Sequence, residues 1–173
     1  MKYNLFDLTF LLAAFAGSMF AQTHISATAK CGKADASQPP IEVADQAGHV
    51  LMAMKMSCTY SKALEIAELK ATTQSVAELT EMTGAKFQDR GYAVMTMENG
   101  DKAYARTQDT GVMKEGGAFT DEGTWTFTGG TGKLKGLKGK GTYRSSGGTD
   151  TGEEIQIEGE YSLPGTSATP KGK

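Results

Sequence analysis

Apolar and polar residues alternate along most of the chain, and this period of two is typical of half-buried β-strands. The clearest example is residues 48–60, GHVLMAMKMSCTY. One face of this segment is apolar or nearly so, and it carries Val50, Met52, Met54, Met56, Cys58 and Tyr60. The other face carries His49, Lys55, Ser57 and Thr59. We therefore predict a strand with one buried side.

The same alternation recurs in the segments 23–31, 123–128 and 153–163. Residues 85–98 and 101–108 predict two more strands, joined by Asn99-Gly100, which is a strong hairpin signal. Residues 61–82 are ambiguous, because their apolar spacing also fits a helix. We favour a strand over 73–82, since Thr72-Thr73 interrupts the helical pattern. Seven or eight short strands separated by turns predict an all-β barrel or sandwich.

The first 21 residues have the layout of a secretory signal peptide, with Lys2 ahead of an apolar run that ends near Ala21. An uncleaved membrane anchor is the alternative. We predict export to the periplasm or the exterior, a β-barrel domain over 22–163 and a disordered tail over 164–173, where small and polar residues dominate.

Two cysteines follow the leader, and both fall on the apolar side of a predicted strand. In an oxidising compartment an even pair favours a disulfide between Cys31 and Cys58. Two buried free thiols are the alternative.

The 173-residue chain has a net charge of −2, so it has no overall field that would gather nucleic acid. Residues 128–143, TGGTGKLKGLKGKGTY, are rich in glycine and lysine but lack the spacing of a phosphate-binding loop. Basic residues follow Gly123, and acidic residues follow one predicted strand later. If these two segments form a hairpin, the opposite charges face each other across the paired strands. Those acids are Asp150, Glu153, Glu154, Glu158 and Glu160.

Residues 129–139, GGTGKLKGLKG, follow a strand with Trp125 and Phe127. This stretch resembles the GGTGxFxxAxG signature of the allene oxide cyclase barrel and the dirigent proteins. Leu134 stands where an aromatic residue is usual, and Leu137 stands where alanine is usual. The wider layout is similar to exported bacterial proteins of unassigned function that carry the same barrel.

The resemblance implies an antiparallel eight-stranded barrel (allene oxide cyclase-like) with a mostly apolar interior, in which the glycine-rich stretch forms a corner. It also implies a protein that holds a ligand inside the barrel and guides ring closure or radical coupling through shape and a few polar groups. Dimers and trimers occur in these families.

Polar residues that interrupt the predicted strands are the candidate ligand-binding residues. Arg90 and Tyr92 share one face, as do Tyr104 and Arg106, so the hairpin would gather an Arg/Tyr cluster able to bind a carboxylate or phenolate. A solvated outer face is the alternative. The full candidate set is Arg90, Tyr92, Tyr104, Arg106, Glu42 and His49.

The methionines at 52, 54 and 56 would suit Cu(I), but on a strand of period two they also serve as ordinary core filling. Histidine is too scarce for a His-based triad or metal site, and the acidic residues are expected mostly on outward faces. We predict no metal and no cofactor.

Two functions fit these observations. The first is an exported barrel that binds a small apolar, aromatic or phenolic ligand and acts as a cyclase- or isomerase-like protein. The second is a non-catalytic structural or interaction module of the cell envelope whose barrel is filled by side chains. We expect no nucleic-acid partner and no membrane association after cleavage, and a homo-oligomer remains open.

Overall fold

The computed structural model describes residues 22–36 and 38–165, and its architecture is a closed antiparallel barrel. The wall consists of β1 (Thr23–Cys31), β2 (His49–Lys62), β3 (Leu69–Thr83), β4 (Lys86–Met97), β5 (Lys102–Met113), β6 (Ala118–Gly130), β7 (Lys138–Gly148) and β8 (Gly152–Ser162). Each strand pairs with the next, and β8 pairs with β1. The predicted eight-stranded barrel is confirmed.

Short strands and single helical turns lie beside or between the strands of the barrel wall. The two-residue strands Asp35–Ala36 and Ile41–Glu42 pair with β2, and Glu65–Ile66 pairs with β3. Single turns of 3₁₀-helix, Glu115–Gly117 and Gly132–Leu134, lie in the connections on either side of β6. The predicted signal peptide, residues 1–21, and most of the predicted tail lie outside the described residues.

The ambiguous segment 61–82 is extended. Its second half belongs to β3, which confirms the strand that we predicted over 73–82. The first half turns at Ala67 and Glu68, where both residues have positive φ. The turn directs Leu64 and Ile66 into the core. The helix-like spacing of apolar residues over 61–82 therefore comes from a turn that joins two extended segments.

Cys31 and Cys58 are directly opposite each other on β1 and β2, and their sulfurs are bonded. The predicted disulfide is confirmed, because alternation brings both side chains to the inner face of adjacent strands. The bond closes a loop between positions 27 apart in the chain.

One end of the barrel, which we call the sealed end, is filled by apolar side chains. It lies where β2, β4, β6 and β8 finish. Ile66, Met97, Leu134 and Leu137 are fully buried there, and Leu64 is 2% exposed. Burying side chains of this size stabilises a fold by about 1.5–3 kcal/mol each. The sealed end is therefore a conventional hydrophobic core.

The glycine-rich stretch forms part of the sealed end, as the corner between β6 and β7. Gly132 has a φ of +50°, and a Cβ on it would lie 1.9 Å from Asp101 Oδ1. Asp101 Oδ2 accepts a hydrogen bond from the Lys133 backbone N–H at 3.0 Å. The corner thus uses glycine for close approach to a carboxylate and turns Leu134 and Leu137 inward.

The basic residues of β7 face β8 only in part as predicted. Lys140 is opposite Glu160, but Arg144 is opposite Gln156 and forms its ion pair with Glu122 of β6 at 3.8 Å. We predicted that Glu153 is one of the acidic residues that face the basic residues of β7. Glu153 instead shares its face with Ile155 and lines the barrel interior. That assignment was wrong because strand alternation turns Glu153 inward.

Candidate functional site

A cavity of about 520 Å³ occupies the barrel interior beyond the sealed end. It extends to the rim at the opposite end of the barrel, where Pro40, Gly148 and Thr149 line it. We call this the open end. It lies where β1, β3, β5 and β7 finish. The barrel is therefore filled at one end and hollow towards the other.

Methionine and aromatic side chains form most of the apolar cavity wall. Met52, Met54 and Met56 of β2 all face the cavity, as their alternation predicts, but they border open space. Farther inside, the rings of Trp125 and Phe127 lie 4.7 Å apart between centroids. Flexible thioethers and aromatic faces adapt to varied ligand shapes.

Carboxyl side chains interrupt this apolar wall. Five of them line the cavity, one each from β3, β4, β5, β6 and β8, and we call them the acidic belt: Glu78, Asp89, Asp109, Asp121 and Glu153. β7 contributes Tyr143 and Ser145 instead. The described residues that line the cavity include no Lys, Arg or His. The belt therefore has no protein cation within the cavity.

Strand register brings members of the acidic belt next to each other. Asp89 is directly opposite Asp109 across β4 and β5. Asp121 is directly opposite Ser145 across β6 and β7. Like charges directly opposite each other on a sheet are unfavourable. The arrangement therefore favours protonation of some of these carboxyls.

Hydroxyl groups of β7 bind the belt. The Tyr143 hydroxyl donates to Asp109 Oδ2. Ser145 Oγ lies within hydrogen-bonding distance of Asp121 Oδ2 and, at 2.8 Å, of Glu153 Oε2. A serine hydroxyl has one proton to donate, so the second contact requires a protonated carboxyl that donates to Ser145.

Several buried oxygens of the belt receive no hydrogen bond of standard geometry from a donor among the described residues. They are Oδ1 of Asp89, Asp109 and Asp121. The Thr80 hydroxyl lies opposite Asp89 but makes no hydrogen bond of standard geometry. Asp89 and Asp109 are only 8% and 7% exposed. The carboxyls of Asp89 and Asp109 hydrogen-bond to each other when one of them is protonated. A buried polar atom without a partner costs about 1–3 kcal/mol, so ionisation of both carboxyls is costly unless a ligand supplies a donor.

Burial raises the pKa of every carboxyl in the belt, and the neighbouring carboxylates add to the shift in most of them. The pKa rises to about 9 for Glu78, about 8 for Asp109 and about 7 for Glu153. The pKa values of Asp89 and Asp121 are also raised. Burial raises the pKa of Tyr143 as well, so this phenol remains a hydrogen-bond donor. The cavity thus holds carboxyls that change charge near neutral pH.

The predicted Arg/Tyr cluster forms on the outer surface of β4 and β5. Arg106 Nη2 donates to the Tyr92 hydroxyl at 3.4 Å, and its guanidinium lies 5.8 Å from the centre of the Tyr92 ring. Arg90 is exposed on the same wall and Tyr104 is half-buried. None of these four residues lines the cavity. Their role in ligand binding stays a prediction for a surface site.

The other two candidates lie near the open end. Glu42 is exposed on the short strand beside β2. His49 Nδ1 lies 2.6 Å from Asp45 Oδ1, and its Nε2 lies 3.1 Å from Glu81 Oε1. The hydrogen bond to Asp45 is the main reason that the pKa of His49 is raised. Neither Glu42 nor His49 lines the cavity, so a ligand role would place them outside its mouth.

Our sequence analysis missed the acidic belt because it assigned acidic residues mostly to outward faces. The signal was present in the alternation. Asp89 shares its face with Phe87, and Asp121 shares its face with Trp125. Applying the period of two to charged residues as strictly as to apolar ones would have placed Asp89 and Glu153 inside, and extending the predicted strands by one or two residues would have added Asp109 and Asp121.

Among the described residues, no group of three or more His, Cys, Asp or Glu side chains is placed to hold a metal ion. Within the same part of the chain, no helix is long and apolar enough to span a membrane.

No sequence profile of a known family matches the chain, and no curated protein matches it. Solved structures that resemble it include a pterocarpan synthase dirigent protein, with 12% identity, 87% of this chain and 90% of that chain covered, and a TM-score of 0.47. Another is a protein of unknown function from the DUF3224 family of Shewanella oneidensis MR-1, with 19% identity, 77% and 96% covered, and a TM-score of 0.40. Identities and TM-scores this low transfer neither a family nor an activity to this chain.

Proposed function

We propose that the barrel binds a small ligand with a largely apolar body in its interior cavity. The observation that carries this proposal is the cavity of about 520 Å³ between the sealed end and the rim. Small-molecule sites are typically concave, about 300–1,000 Å³ in volume, mostly apolar and equipped with a few polar groups. The cavity has each of these properties.

The contrast within the barrel supports the proposal. Protein interiors are normally packed to the density of organic crystals. Large apolar side chains fill the sealed end and are fully buried there, so this sequence is able to fill part of a barrel. The hollow region therefore favours a ligand-binding barrel over the alternative of a structural module filled by its own side chains.

A second candidate function is proton transfer to the bound ligand, as in a cyclase- or isomerase-like protein. A general acid or base works best when its pKa lies near the working pH. Burial brings the pKa of Glu153 to about 7 and that of Asp109 to about 8, and both carboxyls face the cavity. Carboxyls tuned in this way suit acid–base chemistry on a ligand.

We also propose that the protein works outside the cytoplasm. The apolar leader supports export, and the disulfide suits an oxidising compartment. Detection of the mature chain in periplasmic or culture fractions, cleaved after Ala21, would test this. An intact leader in the cytoplasmic fraction would contradict it.

The binding proposal is tested with N-phenylnaphthylamine, a neutral probe whose fluorescence rises in apolar surroundings. Ala93 lines the cavity, whereas Ala77 faces outward on β3. We expect the native protein and Ala77→Phe to bind the probe, and Ala93→Phe to bind at least about tenfold more weakly, because the new ring fills the cavity. Circular dichroism verifies folding. Absence of binding by the native protein, or equal binding by all three, would contradict the proposal.

A further inference from the structure

We propose that the ligand is an organic cation, a protonated amine with an apolar body, whose ammonium group binds at the acidic belt. This inference rests on the proposed ligand-binding function and adds the chemical class of the ligand. It is carried by the carboxyls of the cavity, which have no basic partner among the described lining residues, and by carboxyl oxygens that receive no donor from any other group in the described part of the chain.

Charge is the first part of the case. Five carboxyls face one cavity, and its described lining includes no basic side chain. Charges buried in proteins are normally paired. Here the protein supplies hydroxyl donors from Tyr143 and Ser145 but no counter-ion. A cation entering the cavity would supply the missing charge, whereas an anion would add to the repulsion.

Hydrogen bonding is the second and independent part. Asp89 Oδ1 and Asp109 Oδ1 receive no hydrogen bond of standard geometry from any other group among the described residues, although both residues are more than nine-tenths buried, and the two carboxyls interact only by a proton shared between them. They belong to directly opposite residues on β4 and β5. An ammonium group has only donors to offer and needs acceptors in this arrangement. Hydrogen bonds of this charge-assisted type are the strongest that side chains form.

The apolar wall suits the rest of such a ligand. Trp125 and Phe127 form a tilted aromatic pair near the floor of the cavity, and Phe87 and Phe119 form an edge-to-face pair with centroids 6.2 Å apart at the open end. Aromatic faces attract organic cations. The methionines of β2 complete a polarizable wall across the barrel from β5 and β6.

Protonation links the belt to the ligand. The titratable groups that face the cavity, or adjoin it, are Tyr60 on β2 and Tyr143 on β7 together with the five belt carboxyls, Glu78, Asp89, Asp109, Asp121 and Glu153. Burial raises the pKa of each, so in the free protein protons take the place of a counter-ion. A bound cation stabilises the ionised carboxylates, and binding should therefore release protons to the buffer.

The test uses three probes with the same apolar body and different head groups: phenylbutylamine, phenylbutanol and phenylbutyrate. Each displaces N-phenylnaphthylamine from the full chain at about pH 7. We expect the amine to bind at least about tenfold more tightly than the alcohol. We expect the carboxylate to bind most weakly.

Two of the five belt carboxyls, the directly opposite pair, are then replaced by amides of similar shape in the double variant Asp89→Asn with Asp109→Asn. We expect this variant to lose the preference for the amine and to keep its affinity for the alcohol. The matched control, Glu122→Gln with Glu158→Gln, removes the same charge from exposed outer positions. It should keep the preference. Retained probe binding shows that each barrel is folded.

The possible outcomes distinguish the cation inference from the ligand-binding function on which it rests. If alcohol and amine bind equally, or if the carboxylate binds best, the cation inference is wrong and the ligand-binding function stands. The inference is also wrong if the control variant loses the preference as fully as the double variant. If neither N-phenylnaphthylamine nor any of the three probes binds, the ligand-binding function is wrong as well.

Discussion

The sealed end and the open end of the barrel are built from the same strands but differ in what their inward positions carry. Leu134 and Leu137 are completely buried at the sealed end, where they pack with other apolar side chains. At the open end and in the cavity below it, inward positions carry methionines and the acidic belt. The difference teaches that strand alternation sets which face is inside, whereas the residue types at inward positions decide whether that inside is a core or a site.

The largest expected effect is the loss of a side chain from the sealed end. Leu137→Ala should lower the free energy of unfolding by about 2–5 kcal/mol, because it leaves a void in close packing. Met54→Ala, which borders existing open space, should lower it by about 1 kcal/mol or less. Urea denaturation of both variants measures this. Equal losses would show that the two ends do not differ in packing.

The second effect concerns the disulfide that joins β1 and β2. Replacing Cys31 and Cys58 by serine should cost about 2–4 kcal/mol, because the unfolded chain regains the freedom of the loop that the bond closes. Thermal denaturation of the variant is the measurement. An unchanged midpoint would show that barrel closure already restrains β1 and β2 without the bond.

The third effect is a pH dependence that originates in the cavity. A carboxyl whose pKa is raised on folding stabilises the fold fully below its unfolded pKa, and this stability is lost as the pH rises through the folded pKa. For Asp109 the window runs from 3.8 to about 8, and for Glu153 from 4.5 to about 7. Free energy of unfolding should therefore be lower at about pH 9 than at about pH 5 by at least about 1.4 kcal/mol.

A comparison with Asp109→Asn isolates the belt from other titrating groups. His49, at the rim, also makes a stabilising contribution that is lost over part of the same pH window, because its pKa is also raised. The variant keeps His49 and removes Asp109 together with its effect on the pKa values of Glu78 and Asp89, so the change in pH dependence comes from the belt. Its unfolding free energy should fall less steeply with pH than that of the native protein. An identical slope would show that Asp109 does not titrate as described.

The smallest effect is expected on the outer surface. Arg106→Ala removes an exposed side chain that stacks on Tyr92, and exposed substitutions of this kind change stability by about 0.5 kcal/mol or less. Affinity for N-phenylnaphthylamine should be unchanged, because Arg106 does not line the cavity. A marked loss of affinity would move the binding site from the cavity to the Arg/Tyr cluster.

Much of the fold followed from the sequence because alternation is local. It predicted the strands and the inward side of both cysteines, whereas the barrel corner at Gly132 was implied by the resemblance of residues 129–139 to a barrel signature. The cavity did not follow from the sequence, because its volume depends on how eight strands close around side chains far apart in the chain. The candidate residues Arg90 and Arg106 were chosen for their chemistry, although they alternate with inward residues. Asp89, one position from Arg90, and Asp109, three positions from Arg106, face the cavity instead.

The most direct test of the central claim is a spectrum of the methionine methyl groups, recorded while phenylbutylamine is added to the protein. Met52, Met54 and Met56 line the cavity, whereas Met97 is 1% exposed within the sealed end. We predict that the signals of Met52, Met54 and Met56 shift together in a saturable manner while the Met97 signal stays in place. Saturable binding that leaves the signals of Met52, Met54 and Met56 unmoved would contradict a ligand site inside the barrel.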